Sequence, residues 1–288
     1  MLTERTEGWA AGLRLAALTL RYGGNLDSYA AGLHTENRYV IDYLVNEVFS
    51  HVPAKIEDFL VKTSILDTLS GSLCDAVVAM DGAAVYLQRL VETNSFTVSL
   101  DEQGLWYLYH PLFRGFLRSR LAHKLDAQEI DELHRRASAW YASHDSIELA
   151  LQHALAGHDT PGAVQLVANH RHALLDTEQR PRLERWLRLF PAATLAQEPE
   201  LLLSKAWIAE VERLDAHTVL DALDRAQALV EQMAGQSARA RQLQGEIDAI
   251  RSIEKTFAAN DPEGVIMLAT RPGDDAADVV SCPRRGLA

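Results

Sequence analysis

The sequence predicts a mainly α protein: a winged-helix domain with one small β-hairpin, followed by an irregular array of helical hairpins. Three observations carry this. Apolar residues recur at i, i+3, i+4 and i+7 over most of the chain, as amphipathic helices require. Period-two alternation occurs in one place only. Beyond it, Gly and Pro breaks leave only short loops between helical stretches, so successive helices should be antiparallel neighbours.

Taken in order, Glu7–Tyr22 has Trp9, Leu13, Ala16, Ala17 and Leu20 on one face and stops at Gly23-Gly24. Residues 37–52 put Tyr39, Val40, Tyr43, Leu44 and Val48 together. Pro53 should open the next helix at its first position, running to about Ile65 with Ile56, Phe59, Leu60 and Thr63 inward. Short helices are expected over Ser70–Ala79 and Ala83–Thr93, separated by the turn Asp81-Gly82. Ser95–Leu100 then alternates polar and apolar, and Trp106–Tyr109 is a second β-prone run. Asp101-Glu102-Gln103-Gly104 connects them as a hairpin loop. Helices followed by one hairpin is the order of a winged helix, with His110-Pro111 starting the next helix through about Lys124. Further helices are expected at 127–143, 146–157, 161–176, 179–190, 199–213, 216–234 and 238–259, without a clean repeat period. Domain boundaries follow at 37–124 for the winged helix and 125–271 for the array. Residues 1–36 precede them, and 272–288 read as an irregular tail.

The chain of 288 residues carries a formal charge of −12, with −3 on residues 1–125 and −9 beyond. Phosphate neutralisation needs a locally basic surface, so this balance argues against duplex binding by the chain alone and against an anionic membrane. The helix before the wing offers only Gln88 and Arg89, and the wing tip carries Asp101 and Glu102. The basic set Arg114, Arg118, Arg120 and Lys124 is spaced for an exposed helix face, suited to an acidic partner surface. Cys74 and Cys282 are too far apart, and too unlike in context, to suggest a disulfide or metal framework. No apolar run is long enough to span a membrane, and a cytoplasmic location is expected.

No catalytic constellation emerges, and the chain is read as non-enzymatic. There is no Gly-x-Ser-x-Gly, no His-Glu-x-x-His and no Gly-Lys dipeptide, hence no phosphate-cradling loop. His134, His144, His153, His158, His170 and His172 lack metal-ligand spacing, and no metal is expected. Cys74 sits in an apolar helix as a small hydrophobe. Trp140, Tyr141, Trp186 and Trp207 either pack the core of the array or line a ligand-stacking face.

Several stretches in order carry a resemblance. They are Thr6–Leu13; Val61–Asp67 with Leu73–Ala76; Trp106–Phe113 running on through Arg118; Leu133–Tyr141; and Ala150–Gly157. Together they resemble the maltose-regulon-activator-like regulators, large ATP-binding transcription regulators with a LuxR-type helix-turn-helix. The resemblance implies that 1–36 end a nucleotide-binding module, that 37–124 are its arm-like winged helix, and that 125–271 begin a tetratricopeptide-like inducer-sensing region. It implies a regulatory segment coupling inducer sensing to transcription; the alternative is a stand-alone helical-repeat scaffold that binds another protein. Expected partners in a whole regulator are a P-loop ATPase core, further copies of the chain and a small-molecule inducer. ATP or ADP would be bound by the whole regulator and no cofactor by this segment. The resemblance also makes His110, where hairpin meets helix, a candidate for touching the bound nucleotide; the alternative is that it only caps that helix. Gly8-Trp9-Ala10 resembles a Gly-x-Pro adenine-side motif, but Ala10 stands in the proline position, which favours helix packing by Trp9.

Overall fold

The computed structural model describes residues 52–93, 96–211, 216–233 and 237–259. The helices expected at 7–22 and 37–52, the Gly8-Trp9-Ala10 motif and the tail lie outside the described residues. The chain divides after His144 into two compact units, so the helix at 127–143 goes with the winged helix.

In the first unit α1 (Ala54–Thr63), β1 (Leu69–Ser70), α2 (Gly71–Val78), α3 (Ala83–Glu92), β2 (Thr97–Ser99), β3 (Trp106–Tyr109), α4 (Pro111–Lys124) and α5 (Ala127–Ser143) follow in order. Pro53 lies one position before α1, as its N-cap. Ser70 caps α2, its hydroxyl accepting the Leu73 N–H. Gly82 caps α3 with φ +87° and has no side chain to offer, so Asp75 reaches across from α2 to accept the Ala83 N–H at 2.8 Å. Asp126 and Glu129 close a reciprocal capping box at the start of α5.

The sheet is antiparallel, in the order β1-β3-β2. The expected hairpin is present, with Val98 opposite Leu108 and Ser99 opposite Tyr107. β1 adds a third strand to it, pairing Leu69 with Tyr107 and Ser70 with Trp106. Two residues have no periodicity, so nothing in the sequence marks this strand. Between α1, α4 and the inner sheet face lies an aromatic core. Phe113 stacks on Phe96 at 5.1 Å and meets Tyr109 edge-on at 5.8 Å, and Phe59 stacks on Tyr86 at 5.4 Å. Thr63 gives its hydroxyl proton to the Phe59 carbonyl, so the buried Tyr109 hydroxyl is the donor to Thr63 at 2.7 Å. α3 packs so closely on α2 that a Cβ on Gly71 would come within 2.9 Å of the Ala84 Cβ.

The second unit holds α6 (Ile147–Ala156), α7 (Thr160–Asp176), α8 (Arg180–Leu187), α9 (Ala192–Gln197), α10 (Pro199–Val211), α11 (Ala216–Gln232) and α12 (Ala238–Ala259). It is an irregular array in which each long helix touches its neighbours. α9, bracketed by Pro191 and Pro199, is too short for periodicity to reveal and buries no side chain. Two apolar clusters fill the unit. One joins α6, α7 and α8 to Leu201 and Ile208 of α10. The other joins Leu202, Leu203, Ala206, Trp207 and Ala209 of α10 to α11 and α12. α10 therefore presents apolar side chains to both clusters and serves as a wall shared by the two, with Lys205 exposed. No helix among the described residues is long and apolar enough to cross a membrane.

Candidate functional site

The winged helix is the feature with the clearest functional content. In a DNA reader the wing and the helix before it carry basic and amide groups toward phosphates and base edges. Here Gln88 spends its amide on Glu92, 3.0 Å away on the same helix. Val85 is 70% exposed on that helix.

The hairpin alternates as a strand pair must, but both faces are apolar. Thr97, Tyr107 and Tyr109 point inward and are buried. The outer face carries Val98, Leu100 and Trp106, 48%, 50% and 37% exposed, with half-buried Leu108 between them. Leu105 at the loop end is 60% exposed. An antiparallel sheet with one solvated face normally turns polar residues outward, so this is a departure that marks an interaction surface. The patch continues onto α5, where Trp106 meets the Trp140 ring edge-on at 6.4 Å and Trp140 stacks on His144 at 3.8 Å.

Asp101 has a different part from the one its charge suggests. Its carboxylate accepts the Leu105 N–H at 2.8 Å and the Trp106 N–H at 2.9 Å, and its carbonyl accepts the Ser99 hydroxyl. It is the staple of the loop, and a turn-forming aspartate was a readable signal for it. Gly104 completes the loop with φ +64°, a conformation that side chains resist. Asp101→Ala is expected to cost about 1–2 kcal/mol, as two charge-assisted bonds at a partly exposed site are lost. Urea unfolding followed by a winged-helix probe checks it; an unchanged midpoint would mean the loop holds without its staple.

The basic set on α4 also differs from expectation, because its acidic counterpart lies within the same unit. Arg114 pairs with Asp67 at 2.7 Å. Arg118 donates to the Ser64 and Ile65 carbonyls and reaches Asp67 at 3.3 Å. Arg120 meets Glu57 at 3.0 Å, and Lys124 lies 3.7 Å from Asp58. These contacts tie α4 to α1 and to the loop after it. Burial is the main reason that the Arg118 guanidinium is held below its usual range, with Arg114 adding to it.

His110 lies between β3 and α4, half-buried. Its N–H donates to the Phe96 carbonyl at 2.8 Å and its own carbonyl accepts the Arg114 N–H at 2.9 Å. The backbone at the start of α4 is thus fixed on both sides. Cys74 is wholly buried, and burial pushes its thiol well above the usual range, so it is an inert core residue. Of the aromatic set, Tyr141, Trp186 and Trp207 are core residues and only Trp140 reaches the surface. His153 is buried, His134, His170 and His172 half-buried, His144 and His158 exposed. Among the described residues no three His, Cys, Asp or Glu side chains converge as metal ligands.

Helices, a small three-stranded sheet and a closing helix define a winged-helix domain with an apolar wing, followed by a helical array. Residues 45–129 match the MalT winged helix domain. Over 93% of its length the chain is 32% identical to the HTH-type transcriptional regulator MalT of Serratia proteamaculans, covering 29% of that protein. It is 30% identical, over 73% of its length, to MalT of Klebsiella pneumoniae, covering 23% of it. It is also 29% identical, over 89% of its length, to the serine/threonine-protein kinase PknK of Mycobacterium tuberculosis, again covering 23%. The chain is MalT-like along nearly all its length and spans about a quarter of the length of these relatives.

Proposed function

We propose that this chain is the regulatory segment of an ATP-dependent, LuxR-type transcription regulator, and that its winged helix works by contacting protein rather than DNA. The observation that carries the second half is the outer wing face, Val98, Leu100, Leu108 and Trp106, with Glu102 exposed at the tip. An apolar face with an acidic tip suits a neighbouring protein surface and repels a phosphate backbone. Similarity to MalT regulators supports the first half. In this reading the partners are a P-loop ATPase module and further copies of the regulator. The array takes part in sensing a small inducer, ATP or ADP is bound by the regulator's nucleotide module, and the setting is cytoplasmic. The segment itself is non-catalytic, because its sequence has no Gly-Lys phosphate loop.

His110 is proposed to approach that nucleotide, from its fixed position at the start of α4. In the intact regulator, His110→Ala should weaken ADP binding without lowering the melting temperature; unchanged affinity would return His110 to a purely structural part.

Fluorescence anisotropy with duplex DNA at low salt tests the wing, since electrostatic binding is strongest there. The 288-residue chain is expected to show no sequence-selective binding that survives excess competitor. Selective binding would mean that the wing reads DNA after all.

A further inference from the structure

The helical array contains a polar centre that neither the winged helix nor the resemblance accounts for. Arg171 on α7 is 3% exposed and Glu246 on α12 is 2% exposed. They form an ion pair through Arg171 Nη2 and Glu246 Oε2, across 75 residues of sequence. Glu246 Oε1 also accepts the indole N–H of Trp207 on α10 at 2.6 Å. His172 Nε2 lies 3.6 Å from the same oxygen, with its side chain 43% exposed, so the centre has one edge open to solvent.

Its position is informative. α7 belongs to the apolar cluster with α6 and α8, and α12 to the cluster with α11. α10 stands between them, and Trp207 stands on α10. The three residues therefore pin the seam where two separately packed blocks meet. The pairing is also incomplete: Arg171 Nε and Nη1 are buried and have no hydrogen-bond partner. An ion pair that removes two charges from water, and leaves donors unpaired, adds little net stability over an apolar pair of similar size. What it does is penalise every arrangement that separates the two charges. Such a contact selects one register between blocks and leaves the seam easier to open than the apolar cores on either side.

We propose that the array is two blocks, α6–α8 and α11–α12, hinged at α10 and latched by Arg171, Glu246 and Trp207, so that loss of the latch frees the outer block while the inner block stays folded. In repeat-like arrays stability is a sum of block and interface contributions, so an interface can open alone.

Hydrogen exchange on the 288-residue chain tests this. Glu246→Gln leaves the Arg171 charge uncompensated. Exchange in α11 and α12 should then rise on the order of 100-fold, the scale of breaking one partner of a buried pair, with α6–α8 unchanged. Trp207→Phe removes the N–H donor together with part of the indole ring, and exchange in the outer block should rise on the order of 10-fold. The double variant Arg171→Met with Glu246→Leu removes both charges but leaves the Trp207 N–H without its acceptor, so outer-block exchange should fall back from the Glu246→Gln level to on the order of 10-fold above the parent, the level of Trp207→Phe. Equal loss of protection in both blocks with Glu246→Gln would overturn the proposal, since the array would then be one cooperative core. No rise in exchange would overturn it too, as would failure of the double variant to recover.

Discussion

Phe113→Ala is expected to remove most of the stability of the winged helix, at about 3–5 kcal/mol for a fully buried phenylalanine. Phe113 is completely buried. Its ring is the one that Phe96 stacks on and Tyr109 meets edge-on, so it joins α4, the strand before it and the entry to β2. Taking it away opens a cavity between helix and sheet that neither neighbour can collapse into without breaking the pairing of β3. Tyr109 would also lose the wall that aims its hydroxyl at Thr63. For a domain of this size the shift in melting temperature should exceed about 10 °C. Phe113→Leu should lose less than half as much, because it keeps most of the buried apolar volume. Thermal unfolding of the three proteins decides the matter; a shift under about 3 °C for the alanine variant would mean that the aromatic cluster is not the keystone of the unit.

Trp186→Ala should be comparably severe in the second unit, at about 3–5 kcal/mol. Trp186 is 1% exposed, on the eight-residue α8, and it packs with Leu183 and Leu187 into the inner cluster. So short a helix cannot hold itself together, and its buried face is what keeps it folded. The guanidinium of Arg182 lies over the indole at 5.3 Å and the His170 ring meets it edge-on at 6.4 Å. The contrast that isolates the cause is Trp186→Phe. The indole N–H is buried with no partner, and a buried orphan donor costs about 1–3 kcal/mol. Removing that donor offsets much of the lost ring area, so phenylalanine should sit within about 1.5 kcal/mol of the parent. Chemical denaturation of the two variants separates the effects; equal losses for alanine and phenylalanine would show that the cluster needs the whole indole and that a phenyl ring cannot stand in for it.

Much of this architecture was legible because it is local. Asp126, Pro161 and the apolar spacing around them set α5 and α7 within a residue or so of where they lie. The wing was legible from the single period-two run. What escaped was what depends on partners far away in sequence. β1 exists because Trp106 and Tyr107 offer it an edge, and its own two residues say nothing. The α4 arginines read as an outward-facing cluster because spacing along a helix cannot reveal that Asp67 and Glu57 wait opposite. Arg171 and Glu246, each unremarkable on its own helix, become a buried pair only when α7 and α12 meet. The wing's outer face was half visible. Alternation placed Val98 and Leu100 on one side, but period two alone cannot say that this side faces outward.

The shared wall has a consequence for how such a chain can change over generations. Apart from exposed Lys205 and half-buried Glu210, α10 has little tolerant surface: most substitutions along it are felt by one packing group or the other, and compensation must come from two directions at once. α9 is the opposite, a six-residue turn of helix with no fully buried side chain, resting only Leu195 partly buried against the cluster of α6–α8. Insertions, deletions and drift should therefore collect between Phe190 and Pro199, while α10 changes slowly and in small apolar exchanges. Lineages that need a new ligand or partner would acquire it by lengthening that connection, leaving the wall in place.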